Sequence, residues 1–233
     1  MGKNKLLFSA IGLILVALQL FPCSAQCPYT TEPIDDQLCD TQPVKEYIND
    51  YFLFPFGQKQ ANGENEPRPS GWDLRLAGGK LSGNDKNFLL SDTSDQLPLE
   101  MKKTFERITY GRPKLDLQMK FDTKLDGASF TLSAQSDTVI QLQLAGGQLC
   151  LLQPDGSLLP VESYITNEYY GFAFEIDLET KSYDFSINGV CKAKNQPFVT
   201  AADYIDTFTI HTGDETVGNL NLLGVHLYRG YAI

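Results

Sequence analysis

From Trp72 onward, hydrophobic residues recur at every second position. Residues 172–178 (FAFEIDL) and 183–187 (YDFSI) alternate apolar and polar side chains, as a strand does when one face is buried and the other is wet. Runs of this kind occupy 72–76, 88–90, 99–107, 114–122, 128–133, 139–145, 148–153, 171–178, 182–187, 207–211 and 222–231. Turn signals separate them: Ala77-Gly78-Gly79, Leu125-Asp126-Gly127, Gly146-Gly147, Pro154-Asp155-Gly156 and Asn188-Gly189. Glycine and asparagine there supply the positive φ that tight hairpins need. Short strands at this spacing, with almost no helix, predict an all-β antiparallel sandwich. The hexapeptide LAGGKL (76–81) nearly recurs as LAGGQL (144–149). The similarity stops at its ends, so it reads as two Gly-Gly hairpins rather than a duplication.

Ahead of Trp72 the pattern is different. Lys3 and Lys5 precede an apolar run from Leu6 to Phe21, and Pro22-Cys23-Ser24-Ala25 follows it. A basic start, an apolar middle and small residues at the end predict a secretory signal peptide over 1–25, cleaved before Gln26. The apolar run is shorter than the ~20 residues that span a bilayer. Val44, Tyr47, Ile48, Tyr51 and Phe52 fall at helical spacing, which predicts one short N-terminal helix with an apolar stripe. Residues 58–71 contain no apolar side chain except Ala61 and read as a polar loop. The expected division is therefore signal peptide 1–25, cap and loop 26–71, and sandwich 72–233.

Charge narrows the list of partners. The chain has 233 residues, with 19 basic and 29 acidic side chains. Loss of Lys3 and Lys5 with the signal peptide leaves 17 basic residues and a formal net charge of −12. Such a chain is poorly suited to nucleic acid or an anionic membrane, both of which call for clustered Lys and Arg. The expected partner is a glycan or an extracellular protein. Cys27, Cys39, Cys150 and Cys191 would remain after cleavage, an even number that in an oxidising compartment predicts disulfides. Of the three pairings, Cys27–Cys39 with Cys150–Cys191 is the simplest. Zinc is disfavoured because neither His211 nor His226 stands near a cysteine. The chain has no Asn-x-Ser/Thr triplet, so N-glycosylation is not expected.

Three stretches resemble the C-terminal half of laminin G-like jelly rolls of the concanavalin A-like superfamily. They are residues 171–189 (GFAFEIDLETKSYDFSING), 205–213 (IDTFTIHTG) and 222–230 (LLGVHLYRG). Residues 88–99 also look like an early hairpin of related modules in carbohydrate-active proteins. The resemblance covers most of 72–233 and leaves 26–71 unexplained. It implies a jelly-roll sandwich and, from related modules, a lectin-like role without catalysis, or a front module preceding a catalytic domain. It specifies architecture well and function poorly.

The strongest catalytic candidate is Glu175-x-Asp177-x-Glu179. Residues i, i+2 and i+4 of a strand share a face, and certain glucanases and transglycosylases with this sandwich carry such a strand signature. Retaining glycosidases need two carboxyls ~5–5.5 Å apart. Glu179-Thr180-Lys181, however, reads as a hairpin tip, which would take Glu179 off the strand. Glycoside hydrolysis through Glu175 and Glu179 is thus the alternative to a binding role. Trp72, Tyr110, Tyr169 and Tyr170, together with Tyr164, are the aromatic candidates for stacking on sugar rings; one of the adjacent Tyr169 and Tyr170 must face outward. His211 and His226 lie on strands with no nucleophile nearby and read as structural. No cofactor is expected. Calcium is the one candidate, through loop acids Asp203, Asp206, Asp214 and Glu215.

Overall fold

The structure is a computed structural model that describes residues 45–51, 71–76, 79–84, 87–94, 97–213 and 217–229. Alternation gives fifteen strands within these residues. The first six are β1 (Lys45–Tyr51), β2 (Asp73–Arg75), β3 (Gly79–Asn84), β4 (Asn87–Asp92), β5 (Glu100–Ile108) and β6 (Pro113–Phe121). Next come β7 (Ser129–Ala134), β8 (Asp137–Ala145), β9 (Gln148–Leu152), β10 (Leu158–Ser163) and β11 (Tyr169–Asp177). The last are β12 (Ser182–Ile187), β13 (Val190–Pro197), β14 (Ile205–His211) and β15 (Gly218–Arg229). No helix occurs among the described residues, so none there is long and apolar enough to cross a membrane.

The strands form two antiparallel sheets. The front sheet runs β13-β12-β11-β6-β15-β4-β3, and β1 also pairs with β15. The back sheet runs β10-β9-β8-β7-β14-β5-β2. The alternation that predicts the strands also assigns their faces. On β6, Leu115, Leu117, Met119 and Phe121 are buried between the sheets, while Lys114, Asp116, Gln118 and Lys120 point outward. On β11, Tyr170, Phe172, Phe174 and Ile176 face inward. An aromatic slab results: Tyr170 stacks on Phe172 at 5.6 Å, Phe172 on Phe185 at 6.0 Å, and Phe174 lies 4.8 Å from Phe185 and 6.0 Å from Tyr183. Burying each such ring contributes about 1.5–3 kcal/mol. The Tyr183 hydroxyl sits inside this slab without a hydrogen-bond partner.

Polar groups tie the sheets together where the chain crosses between them. Thr212 and Asp92 are both buried. The Thr212 hydroxyl donates to Asp92 Oδ2 and accepts the Leu99 N–H at 2.9 Å, fixing the passage from β4 in front to β5 behind. The Gly146-Gly147 and Asn188-Gly189 turns take positive φ at both residues, as the hairpin signals require.

Several expectations are corrected. Within 45–51 the chain is a strand paired with β15, not a helix. Its register slips between Glu46 and Ile48. That bulge lets consecutive side chains reach the protein: Ile48 is buried, and Tyr47 packs edge-on against Phe105 at 6.2 Å. Apolar neighbours brought together by a bulge imitate helical spacing. Residues 88–99 are not a hairpin, because β4 pairs with β3 and the chain then passes to β5 in the other sheet. The LAGGKL segment likewise joins β2 of the back sheet to β3 of the front sheet, whereas LAGGQL is a true hairpin. Cys150 is a buried free thiol, so the expected Cys150–Cys191 bond is absent. The Cys27–Cys39 pairing, the signal peptide and the polar loop before Gly71 lie outside the described residues.

Candidate functional site

The outward face of the front sheet carries a polar cluster assembled by register. Asp116 of β6 pairs with Ala173 of β11 on one side and His226 of β15 on the other, and His226 pairs with Asn49 of β1. One row along, Glu175, Lys114, Tyr228 and Glu46 stand in line across the same four strands. The row on the other side is Gly171, Gln118 and Gly224. With side chains missing on both sides of Gln118, the surface sinks into a trough of about 290 Å³ across the strands. The Asn188-Gly189 turn closes its β12 end, and Asp116 and His226 form one bank. Tyr169 and Lys120 stand on the next outward row, beyond the glycines and outside the trough's own lining.

Contacts within the cluster are polar and convergent. His226 Nε2 lies 3.5 Å from Glu46 Oε1, and Asn49 donates from Nδ2 to Glu46 Oε2 at 2.8 Å. The His226 and Tyr228 rings stack at 4.5 Å. The Tyr228 hydroxyl donates to Asp116 Oδ2 at 3.4 Å, and Lys114 Nζ is 3.4 Å from Asp116 Oδ1. Burial alone would lower the Lys114 pKa, but the charge of Asp116, with Tyr228 and Glu175, carries it above its ordinary value. Burial and then Asp116 push the Tyr228 phenol up. Lys114 therefore stays charged and Tyr228 stays protonated as a donor near neutral pH.

Only part of this was anticipated from sequence. Glu175 does face outward, next to Lys114. Asp177 is committed to a turn: its Oδ1 accepts the N–H groups of Glu179 and Thr180 at 3.0 Å each, and Arg112 lies 3.2 Å from Oδ2. The Thr180 N–H, with that of Glu179 and the Arg112 charge, holds this carboxyl below the usual range. Glu179 is exposed in the same turn, beyond the end of β11, so no row of three carboxylates forms on the strand.

Of the aromatic candidates, Trp72 is buried and packs edge-on against Phe208 at 6.2 Å. Tyr164 and Tyr170 are buried as well; their hydroxyls accept the Leu125 and Ile165 N–H groups at 3.1 and 2.7 Å. Tyr110 is 61% exposed, with Arg229 over its ring at 4.2 Å, in the turn between β5 and β6 and away from the trough. Tyr169 is 63% exposed one outward position from Gly171, with Lys120 Nζ 5.7 Å from its ring centre. Among the loop acids, Asp203 pairs with Lys181 at 2.6 Å, and Asp206 accepts the Gln135 N–H at 2.8 Å. Asp214 and Glu215 lie outside the described residues, and no group of three metal-ligating side chains occurs among those described.

Glu46, Asp116, Gln118 and Tyr228 are not singled out by the sequence, and His226 is read there as a structural strand histidine. The only signals for them were the polar positions of alternating segments, Lys114-x-Asp116-x-Gln118 and His226-x-Tyr228. Alternation says that these side chains face out. It does not say that the two segments are neighbours.

No protein-family profile matches this chain, and no curated protein matches it. Solved structures do match by shape. A structure described as "Sialidase" aligns over 68% of this chain with a TM-score of 0.61 and 11% identity, and the aligned part is 17% of that protein. A second, described as "Prominent members of the human gut microbiota express endo-acting O-glycanases to initiate mucin breakdown", aligns over 80% of this chain and 100% of its own, with a TM-score of 0.55 and 10% identity. A Bacillus licheniformis beta-glucanase covers 70% of this chain and 94% of its own at 16% identity, with a TM-score of 0.47. The likeness is one of fold, an antiparallel two-sheet sandwich of the jelly-roll kind.

Proposed function

We propose that this protein cleaves glycosidic bonds in the trough of the front sheet, with Asp116 and Glu46 as its working carboxyl pair. The observation that carries the reading is their placement: one carboxylate on each strand flanking β15, with His226 and Tyr228 between them. The names of the sialidase and mucin O-glycanase neighbours fit a carbohydrate substrate. Fold does not dictate chemistry, so the site must carry the argument. With the export expected from residues 1–25, the substrate in this reading is an extracellular glycan.

The roles follow from the surroundings of each carboxyl. Asp116 accepts the Tyr228 hydroxyl at 3.4 Å and lies 3.4 Å from the Lys114 ammonium, which fixes its carboxyl toward the face of the sheet. It serves as the base that takes a proton from water as the water oxygen bonds to the anomeric carbon. Glu46 is half-exposed beside His226. It donates its proton to the glycosidic oxygen, whose bond to the anomeric carbon breaks and which leaves as a hydroxyl. β6 and β1 stand two inter-strand spacings apart, about 9–10 Å.

The test is glycan hydrolysis by the full chain, followed by reducing-end release and by NMR of the first-formed anomer. Asp116→Asn and Glu46→Gln should each lower kcat about 10²–10⁴-fold while leaving substrate affinity within a few-fold, and the first-formed anomer tells an inverting from a retaining arrangement of the pair. Unchanged turnover in both variants would remove the assignment. Binding with no product from any glycan would favour the non-catalytic, lectin-like reading instead.

A further inference from the structure

We infer that the occupant of the trough is an uncharged glycan, one ring of which stacks on Tyr169. The inference rests on the glycan reading above and adds the substrate class and a residue that positions it.

Charge is the first argument. The outward face around the trough carries Glu46, Asp116, Asp122, Glu175, Asp177 and Asp184, against Lys114, Lys120 and the Arg112 that pairs with Asp177. Both lysines already have carboxylate partners, Lys114 on Asp116 at 3.4 Å and Lys120 on Asp122 at 2.7 Å. A uronate or sialate carboxyl entering here would meet a negative surface and would have to displace a partner to reach a cation. An excess of one charge on a face excludes ligands of the same charge.

The chemistry of the floor is the second argument. Gln118 stands alone between two glycines, and its amide both donates and accepts. That matches sugar hydroxyls, which also do both. The Asn188 side chain is already engaged, since its Oδ1 accepts the Gly171 N–H at 2.7 Å. The third argument is Tyr169. It is one outward position from Gly171 on β11, about 6.7 Å along the strand, and its ring is largely exposed. An exposed aromatic beside a polar floor offers the apolar C–H face of a pyranose a surface to cover.

The experiment is calorimetric titration of the full chain with oligomers of β-glucan, galactan and N-acetyllactosamine, and separately with polygalacturonate and sialyllactose. At least one uncharged probe should bind, and the anionic probes should bind at least tenfold more weakly, with no gain at low salt. Tyr169→Ala should weaken binding of the preferred probe about tenfold, Tyr169→Phe should keep it, and Tyr110→Ala should leave it unchanged. Preference for either anionic probe, silence from every uncharged probe, or full affinity in Tyr169→Ala overturns the inference. Uncharged glycan bound but never cleaved defeats the catalytic reading and leaves this one standing. Cleavage with an anionic preference does the reverse.

Discussion

The Tyr183 hydroxyl illustrates how single residues depart from the binary pattern. Position 183 is an inward position of β12, which its alternation with Asp184 and Phe185 makes legible from sequence. A phenol there packs as well as phenylalanine but leaves a polar atom with no partner in the core. Tyr183→Phe should therefore leave stability at neutral pH unchanged or raise it by about 1 kcal/mol, as read from urea midpoints. Burial pushes the phenol pKa far above 10, so the protonated hydroxyl is the form the fold favours. The group leaves stability independent of pH below the unfolded value near 10, and stability then falls as pH rises from there toward the folded value. Tyr183→Phe should accordingly flatten the alkaline fall in stability above about pH 10. A neutral-pH loss above ~1 kcal/mol would mean that the hydroxyl has a partner. His226 is the opposite case. Sequence reads it as a structural strand histidine with no nucleophile nearby, and only the pairing of β15 with β1 and β6 brings it to Glu46 and Asp116.

At the scale of elements, legibility follows position in the sheet. The interior strands β6, β7, β8, β11, β12 and β14 all appear as alternating runs, because pairing on both sides and burial on one face impose period two. The strands missed from sequence are β1, β3, β10 and β13. Of these, β3, β10 and β13 are sheet edges, and β1 pairs only with β15. Edges carry polar residues, bulges and proline, such as Pro160 in β10, that blur alternation and discourage pairing with other chains. β1 nevertheless holds half of the proposed carboxyl pair, and it is anchored through Ile48, which is 1% exposed. Ile48→Ala should cost about 2–4 kcal/mol and lower activity further by loosening Glu46. Val190→Ala, on the exposed start of edge strand β13, should stay within about 0.5 kcal/mol. Thermal melts and turnover of the two variants check the contrast. Equal melting temperatures would show β1 to be dispensable to the fold.

Across the whole molecule, the two-sheet sandwich could be read from sequence, but the site could not. The fold needs only the periodicity of each segment. The trough needs four segments far apart in the chain to meet in one register, and no local pattern encodes that. The trough can be filled without disturbing the fold, because a Cβ at Gly171 would come within 4 Å only of Asn188 Oδ1, at 3.6 Å. Gly171→Leu should keep the melting temperature within a few degrees and reduce glycan binding at least tenfold. Binding that survives a leucine there would place the ligand elsewhere on the surface.

β15 also sets an order of events. It is the last strand in the chain among those described, yet it lies inside the front sheet, between β6 on one side and β4 and β1 on the other. While the chain is being made, the strands that will flank β15 have no partner to join them. His226 and Tyr228 are themselves near its end. Any activity this face possesses is therefore switched on late and all at once, when β15 is inserted. Such long-range closure is slow compared with hairpin formation, so until then a nascent chain has no working site with which to meet a glycan.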